Sequence, residues 1–124
     1  MKLPLKLTCH CGAVELAIHE AFDPSQAYRC NCSFCARRGA VAAPVSASAV
    51  EIVQGAEALE TYQWNTNTAR HHFCRNCGIY THHHRRLDPG KCGLNLGAIE
   101  DFDVTSLKNV GWLDGRNHPS DAQD

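Results

Sequence analysis

Seven cysteines fall into three tight groups, and their spacing constrains the fold more than any other feature of the chain. Cys9 and Cys11 lie in CHCG, Cys30, Cys32 and Cys35 in CNCSFC, and Cys74 and Cys77 in CRNCG. A glycine, Gly12 or Gly78, directly follows the second cysteine of each outer pair. A chain that wraps one ion between two nearby thiolates must turn sharply, and glycine reaches positive φ without a Cβ clash. Each outer pair therefore reads as a metal knuckle. Two knuckles supply four thiolates, the donor set of a closed tetrahedral structural zinc site. Cys9, Cys11, Cys74 and Cys77 are expected to share one zinc that ties the start of the chain to its middle.

The trio between them has no glycine after Cys35. Three protein ligands with an exchangeable fourth position describe a catalytic zinc. A histidine from His10, His71, His72, His82, His83 or His84 would instead complete a closed Cys3His site. Spacing alone leaves both open. A third reading makes CSFC a redox dithiol, but such a pair has no need of Cys30 and usually opens a helix after a strand.

Eight cysteines in 124 residues suit metal better than disulfides in a reducing compartment. A chain of this length is expected to form one domain with a modest core, which a metal staple would strengthen. The stretch MKLPLKLTCHCG lacks the apolar segment of a secretory signal, and no apolar run is long enough to cross a bilayer. A cytoplasmic protein without a membrane partner is expected. The net charge of −1 argues against a nucleic-acid partner, which calls for a basic face.

Hydrophobic alternation is mostly of period two. Ala13–His19 places Val14, Leu16 and Ile18 on one face of a strand. VEIVQG, LETYQW, HHFC, GIYTHHH and KCGLNLGAI read as further strands. SFCARR, and Val104 to Leu107 behind an Asp103 cap, read as single helical turns. The expectation is a mainly antiparallel β domain over residues 1–115, with a loosely ordered polar tail at 116–124.

Several other residues carry weaker signals. Cys92 reads as a small buried apolar residue of a strand. His82, His83 and His84 alternate across a strand, so at most His82 and His84 share a face, and surface or interface positions are expected for them. Tyr62, Trp64 and Phe73 read as core or cross-strand packing. Arg37 and Arg38 follow the trio at once and are candidates to bind an anionic substrate beside the metal.

The ordered set CHCGAV, CNCSFCARRGA, Gly55-x-x-x-Leu59-x-x-Tyr62, HHFCRNCG and LNLGAIED resembles the glutathione-dependent formaldehyde-activating family, which includes proteins similar to centromere protein V. The resemblance runs from about Leu7 to Asp114. It implies a β-tent fold stapled by zinc, with two zinc ions per chain. It assigns Cys9, Cys11, Cys74 and Cys77 to a structural zinc and Cys30, Cys32 and Cys35 to a catalytic one. The implied activity is that of a carbon–sulfur lyase that forms or cleaves a thiol–aldehyde adduct such as S-hydroxymethylglutathione, with a small thiol such as glutathione and a small aldehyde as partners. The alternative is a non-catalytic two-zinc binding module. The two differ at the trio, where an enzyme needs a cleft.

Overall fold

The computed structural model describes residues 1–86 and 88–117. Their strands are arranged in two sheets. The smaller is antiparallel, built from β1 (Leu5–Thr8), β2 (Glu15–Ile18) and β5 (Val50–Gln54) in the order β1-β2-β5. The larger holds β3 (Tyr28–Cys30), β4 (Ala42–Ser46), β6 (Leu59–Tyr62), β7 (Arg70–Cys74), β8 (Tyr80–His84), β9 (Lys91–Asn95) and β10 (Gly111–Leu113). Its order is β10-β3-β4-β9-β8-β7-β6. Every pairing is antiparallel except β10 on β3, which is parallel. One α-helix, α1 (Ser33–Arg38), and several single 3-10 turns complete the described residues.

The alternation in β2 does what its sequence implies. Leu16 and Ile18 point inward, join Leu7 of the same sheet and Val14 just before β2, and meet Val45 and Leu94 from the larger one. All six side chains are fully buried. Burying each of the larger ones contributes about 2 kcal/mol. Phe22 and Phe102 close one end of this core edge-to-face at 5.1 Å. Cys92 lies in the same core with no exposure, as its strand position suggests.

Strands β1, β3, β4 and β10 were not anticipated from the alternation. Three of them have only three or four residues, and β4 contains Pro44. Pro44 is tolerated because β4 pairs with β3 at Tyr28↔Ala42 and then continues beside β9 alone, so its free side needs no N–H donor.

The histidine run departs from the surface position expected for it. β8 lies between β7 and β9, with His82 opposite His72 and Leu94, and His83 opposite His71 and Gly93. His82 and His83 are consequently buried, and only His84 is partly open. A central strand flanked on both edges accepts polar side chains when they find partners. Thr81 bonds His82 at 2.8 Å and the Tyr80 hydroxyl bonds His83. At the other end of the chain, Gly115–Asn117 forms a 3-10 turn packed on Asn31, while residues 118–124 of the expected tail lie outside the described residues.

Candidate metal centres and cleft

Both outer cysteine pairs turn at their glycines. Gly12 has φ +83° and its N–H bonds the Cys9 carbonyl. Gly78 has φ +79° and its N–H bonds the Cys74 carbonyl. The first knuckle lies between β1 and β2, the second between β7 and β8, so they come from different sheets. Their four sulfurs gather within 4.8 Å of one another. The Cys9–Cys11 and Cys11–Cys74 sulfurs are each 3.7 Å apart. Zinc–sulfur bonds of about 2.3 Å in a tetrahedron require sulfurs about 3.8 Å apart, so the donor set fits a closed zinc site. Backbone N–H groups assist, with Val14 donating to Cys9 Sγ at 3.2 Å. Burial opposes the Cys77 thiolate, but the N–H groups of Cys11 and Ile79 outweigh it and bring this thiol down to about 6.

The inner trio is placed by β3 and the first turn of α1. Cys32 caps that helix, its sulfur accepting the Cys35 N–H at 3.2 Å, and Gly39 ends it in the left-handed region. The sulfurs of Cys30, Cys32 and Cys35 lie within 4.8 Å of one another. Among the described residues no histidine joins them, so the closed Cys3His set is not formed. Three thiols on one side suit a zinc ion that leaves one position to another ligand. A hydrogen bond from the Cys35 thiol brings Cys30 down to about 5, while the same bond and burial push Cys35 up. The trio thus gives up its first proton readily.

A cleft of about 280 Å³ opens over this trio. Its wall carries Tyr28, Arg38, Trp64, His71, His83 and Arg85. Arg38 is held by two rings and two hydrogen bonds, while its buried Nε has no partner. Its guanidinium lies 3.6 Å from the Tyr80 ring centre and 4.6 Å from that of Phe34. Nη2 donates to Cys35 Sγ at 3.5 Å and Nη1 to His71 Nδ1 at 3.2 Å. Arg37, the other arginine expected near substrate, is exposed and donates to the Ser33 carbonyl at 2.7 Å, outside the cleft lining. Trp64 lines the cleft instead of the core, Tyr62 packs at a tilt 5.2 Å from Phe34 while 46% exposed, and Phe73 is half-buried in β7.

Burial first, then the Arg38 charge, lowers His71 to about 3, and burial drives His83 well below its ordinary range. Both rings are neutral at physiological pH. Burial likewise pushes the Tyr28 phenol up to about 12, and its hydroxyl is enclosed without a hydrogen-bond partner. The sequence offered His71 and His83 only as possible fourth ligands and gave Tyr28 no role, because strand pairing, rather than local spacing, makes them the wall beside the trio.

The chain's C-terminal segment completes the floor. Asn31, between two of the cysteines, donates to Asp114 Oδ1 at 3.1 Å and accepts from the Arg116 N–H at 3.1 Å. Arg116 Nε bonds the Asn31 carbonyl at 2.9 Å. Gly115 lies against the trio so closely that a Cβ there would be 2.4 Å from Cys30 Sγ.

A two-sheet β domain with one closed and one open cysteine centre, both of zinc-compatible composition, is the class defined by these features. The chain belongs to the glutathione-dependent formaldehyde-activating enzyme family, whose sequence profile matches residues 4–112. It is also similar to a Rhodobacter sphaeroides protein of known crystal structure, at 49% identity and a TM-score of 0.84, over 87% of this chain and 99% of that one.

Proposed function

We propose that this chain is a zinc-dependent carbon–sulfur lyase-type enzyme of the cytoplasm that forms or cleaves a thiol–aldehyde adduct such as S-hydroxymethylglutathione. The observation that carries this reading is the contrast between the two cysteine clusters. Four thiols close on one another outside the cleft, whereas three line its wall. A zinc ion bound by Cys30, Cys32 and Cys35 would hold a substrate thiol as its reactive thiolate at neutral pH.

The surrounding residues supply binding and orientation. Arg38, Arg85 and Arg86 line the cleft with Asp114 as their acidic counterpart, a balance that favours an anionic thiol such as glutathione. Arg38 also offsets thiolate charge through its contact with Cys35. Arg37 lies outside the cleft lining, whereas Arg85 is part of it, so Arg85 is the better second partner. Trp64, Ala40, Ala42 and Leu113 provide apolar wall that excludes water and keeps thiol and aldehyde together, replacing a bimolecular encounter with a proximate one.

Exchange spectroscopy by NMR on formaldehyde and glutathione tests the proposal. The zinc-loaded protein is expected to accelerate adduct formation and breakdown, and Cys35→Ser to abolish the acceleration while remaining folded. A parent protein that binds two zinc ions yet leaves the exchange rate unchanged supports the non-catalytic module instead.

A further inference from the structure

The addition of a thiolate to an aldehyde builds negative charge on the carbonyl oxygen, and three cysteines offer that oxygen no hydrogen-bond donor once they are thiolates. We propose that His71, fixed by Arg38 as the tautomer protonated on Nε2, donates the hydrogen bond that stabilises this oxygen. The inference rests on the thiol–aldehyde reading of the cleft.

The tautomer follows from the partners. Arginine has donors only, so Nδ1 of His71 must accept from Arg38 Nη1 at 3.2 Å. A neutral imidazole carries one proton, which therefore resides on Nε2. Among the described residues no acceptor is bonded to this N–H, although His71 is only 6% exposed and lines the cleft beside the trio. The ring itself has little freedom. Phe34 meets it edge-on at 4.7 Å and His83 stacks on it at 5.1 Å. His83 differs, because its Nδ1 meets the Tyr80 hydroxyl, a group that can either donate or accept, so no donor-only partner fixes its tautomer as Arg38 fixes that of His71. One guanidinium thus links the trio, through Cys35, to a cleft imidazole whose N–H it fixes on Nε2.

The step balances without consuming the proton on His71. The sulfur lone pair forms the C–S bond and the carbonyl π pair moves onto oxygen. The Nε2–H bonds that oxygen, and solvent supplies the proton that completes the hydroxyl, equal to the one released when the thiol ionised. In reverse, the same bond stabilises the alkoxide from which the adduct collapses. His71 touches the reacting atoms and is catalytic in that sense; Arg38 is a positioning residue.

Two measurements test this. In the first, two-bond proton–nitrogen correlation NMR on the zinc-loaded protein reads the tautomer directly, without substrate. Nδ1 of His71 is expected to be the unprotonated nitrogen in the parent and in Arg38→Lys, and Arg38→Met to lose that preference. A parent with the proton on Nδ1 overturns the proposal. In the second, His71→Phe is expected to keep both zinc ions and its glutathione affinity while slowing formaldehyde–glutathione exchange by about 100-fold, the usual loss for one oxyanion donor. His71→Gln, which restores an N–H near the same place, should recover most of that rate. An active parent with an equally active His71→Phe overturns the role of His71 alone. An inactive parent overturns the enzymatic reading and the catalytic role with it.

Discussion

Replacing Gly115 with alanine tests how tightly the C-terminal segment shapes the open metal centre. The added Cβ would lie 2.4 Å from Cys30 Sγ and 2.9 Å from Cys32 Cβ. Ordinary carbon contacts lie at about 3.5–4.0 Å, so either the sulfur or the turn must retreat by about 1 Å. The turn is pinned by three hydrogen bonds, one donated by Asn31 to Asp114 and two donated by Arg116 to Asn31, each worth about 1 kcal/mol net. Overpacking of this kind costs about 1–3 kcal/mol. The sulfur is the softer partner, because Cys30 ends a three-residue strand and is only half-buried. Gly115→Ala should therefore displace Cys30 from its two companions. The expected result is full retention of the closed-site zinc, a loss of at least about tenfold in affinity at the trio, as second-rank contacts to metal ligands usually show, and a melting temperature lower by about 3–5 °C per kcal/mol. Zinc content under graded chelator competition, paired with thermal melts, provides the assay. A variant that holds both ions as tightly as the parent and melts with it refutes the reasoning.

Other outcomes are equally specific. The purified protein should carry two zinc ions per chain, of which mild chelation removes the trio's first; simultaneous release with unfolding would show that the centres are alike. Cys74→Ser should lower the melting temperature sharply, whereas Cys35→Ser should stay folded and lose about one zinc ion, because a neutral hydroxyl replaces a thiolate ligand; equal destabilisation of the two variants would make the trio structural. Stability should fall with acid because of the buried histidines. Burial holds His82 down at about 3 and His83 well below its usual range, while both titrate near about 6.5 once unfolded. The unfolded chain binds the extra protons below that value, so this stability is whole above about pH 6.5 and is lost as pH falls toward about 3. His82→Leu should flatten the dependence of melting on pH between about 7 and 4, and an unchanged slope would remove His82 as a cause. Gly93→Ala should disturb the cleft wall, since a Cβ there would meet the His83 ring at 2.3 Å and the Tyr28 hydroxyl at 2.7 Å; its melting curve and the His83 ring resonances check this.

Where chemistry and period coincide, the sequence was legible. CHCG and CRNCG declare their knuckles through a thiol pair and a glycine that must turn, and both glycines do have positive φ. Leu16 and Ile18 declare their face through strict alternation. Legibility ended where position depends on neighbours distant in the chain. Nothing in HHH announces burial, because burial comes from β7 and β9 on either side of β8. Trp64, His71 and Arg85 belong to separate segments and share a cleft only through strand register. Tyr28–Cys30 and Gly111–Leu113 are too short to show a period, and each is a strand because the other is beside it. Asn31 reads as a spacer between cysteines, yet Asp114 and Arg116 grip it from more than 80 positions away.

That grip also makes the two clusters unequal in what they draw from the chain. All four thiols of the closed cluster lie between residues 9 and 77, whereas the trio's floor is completed by residues 111–117. A loss of residues 111–117 would leave every donor of the first cluster in the chain and strip the second of the turn that packs on Cys30.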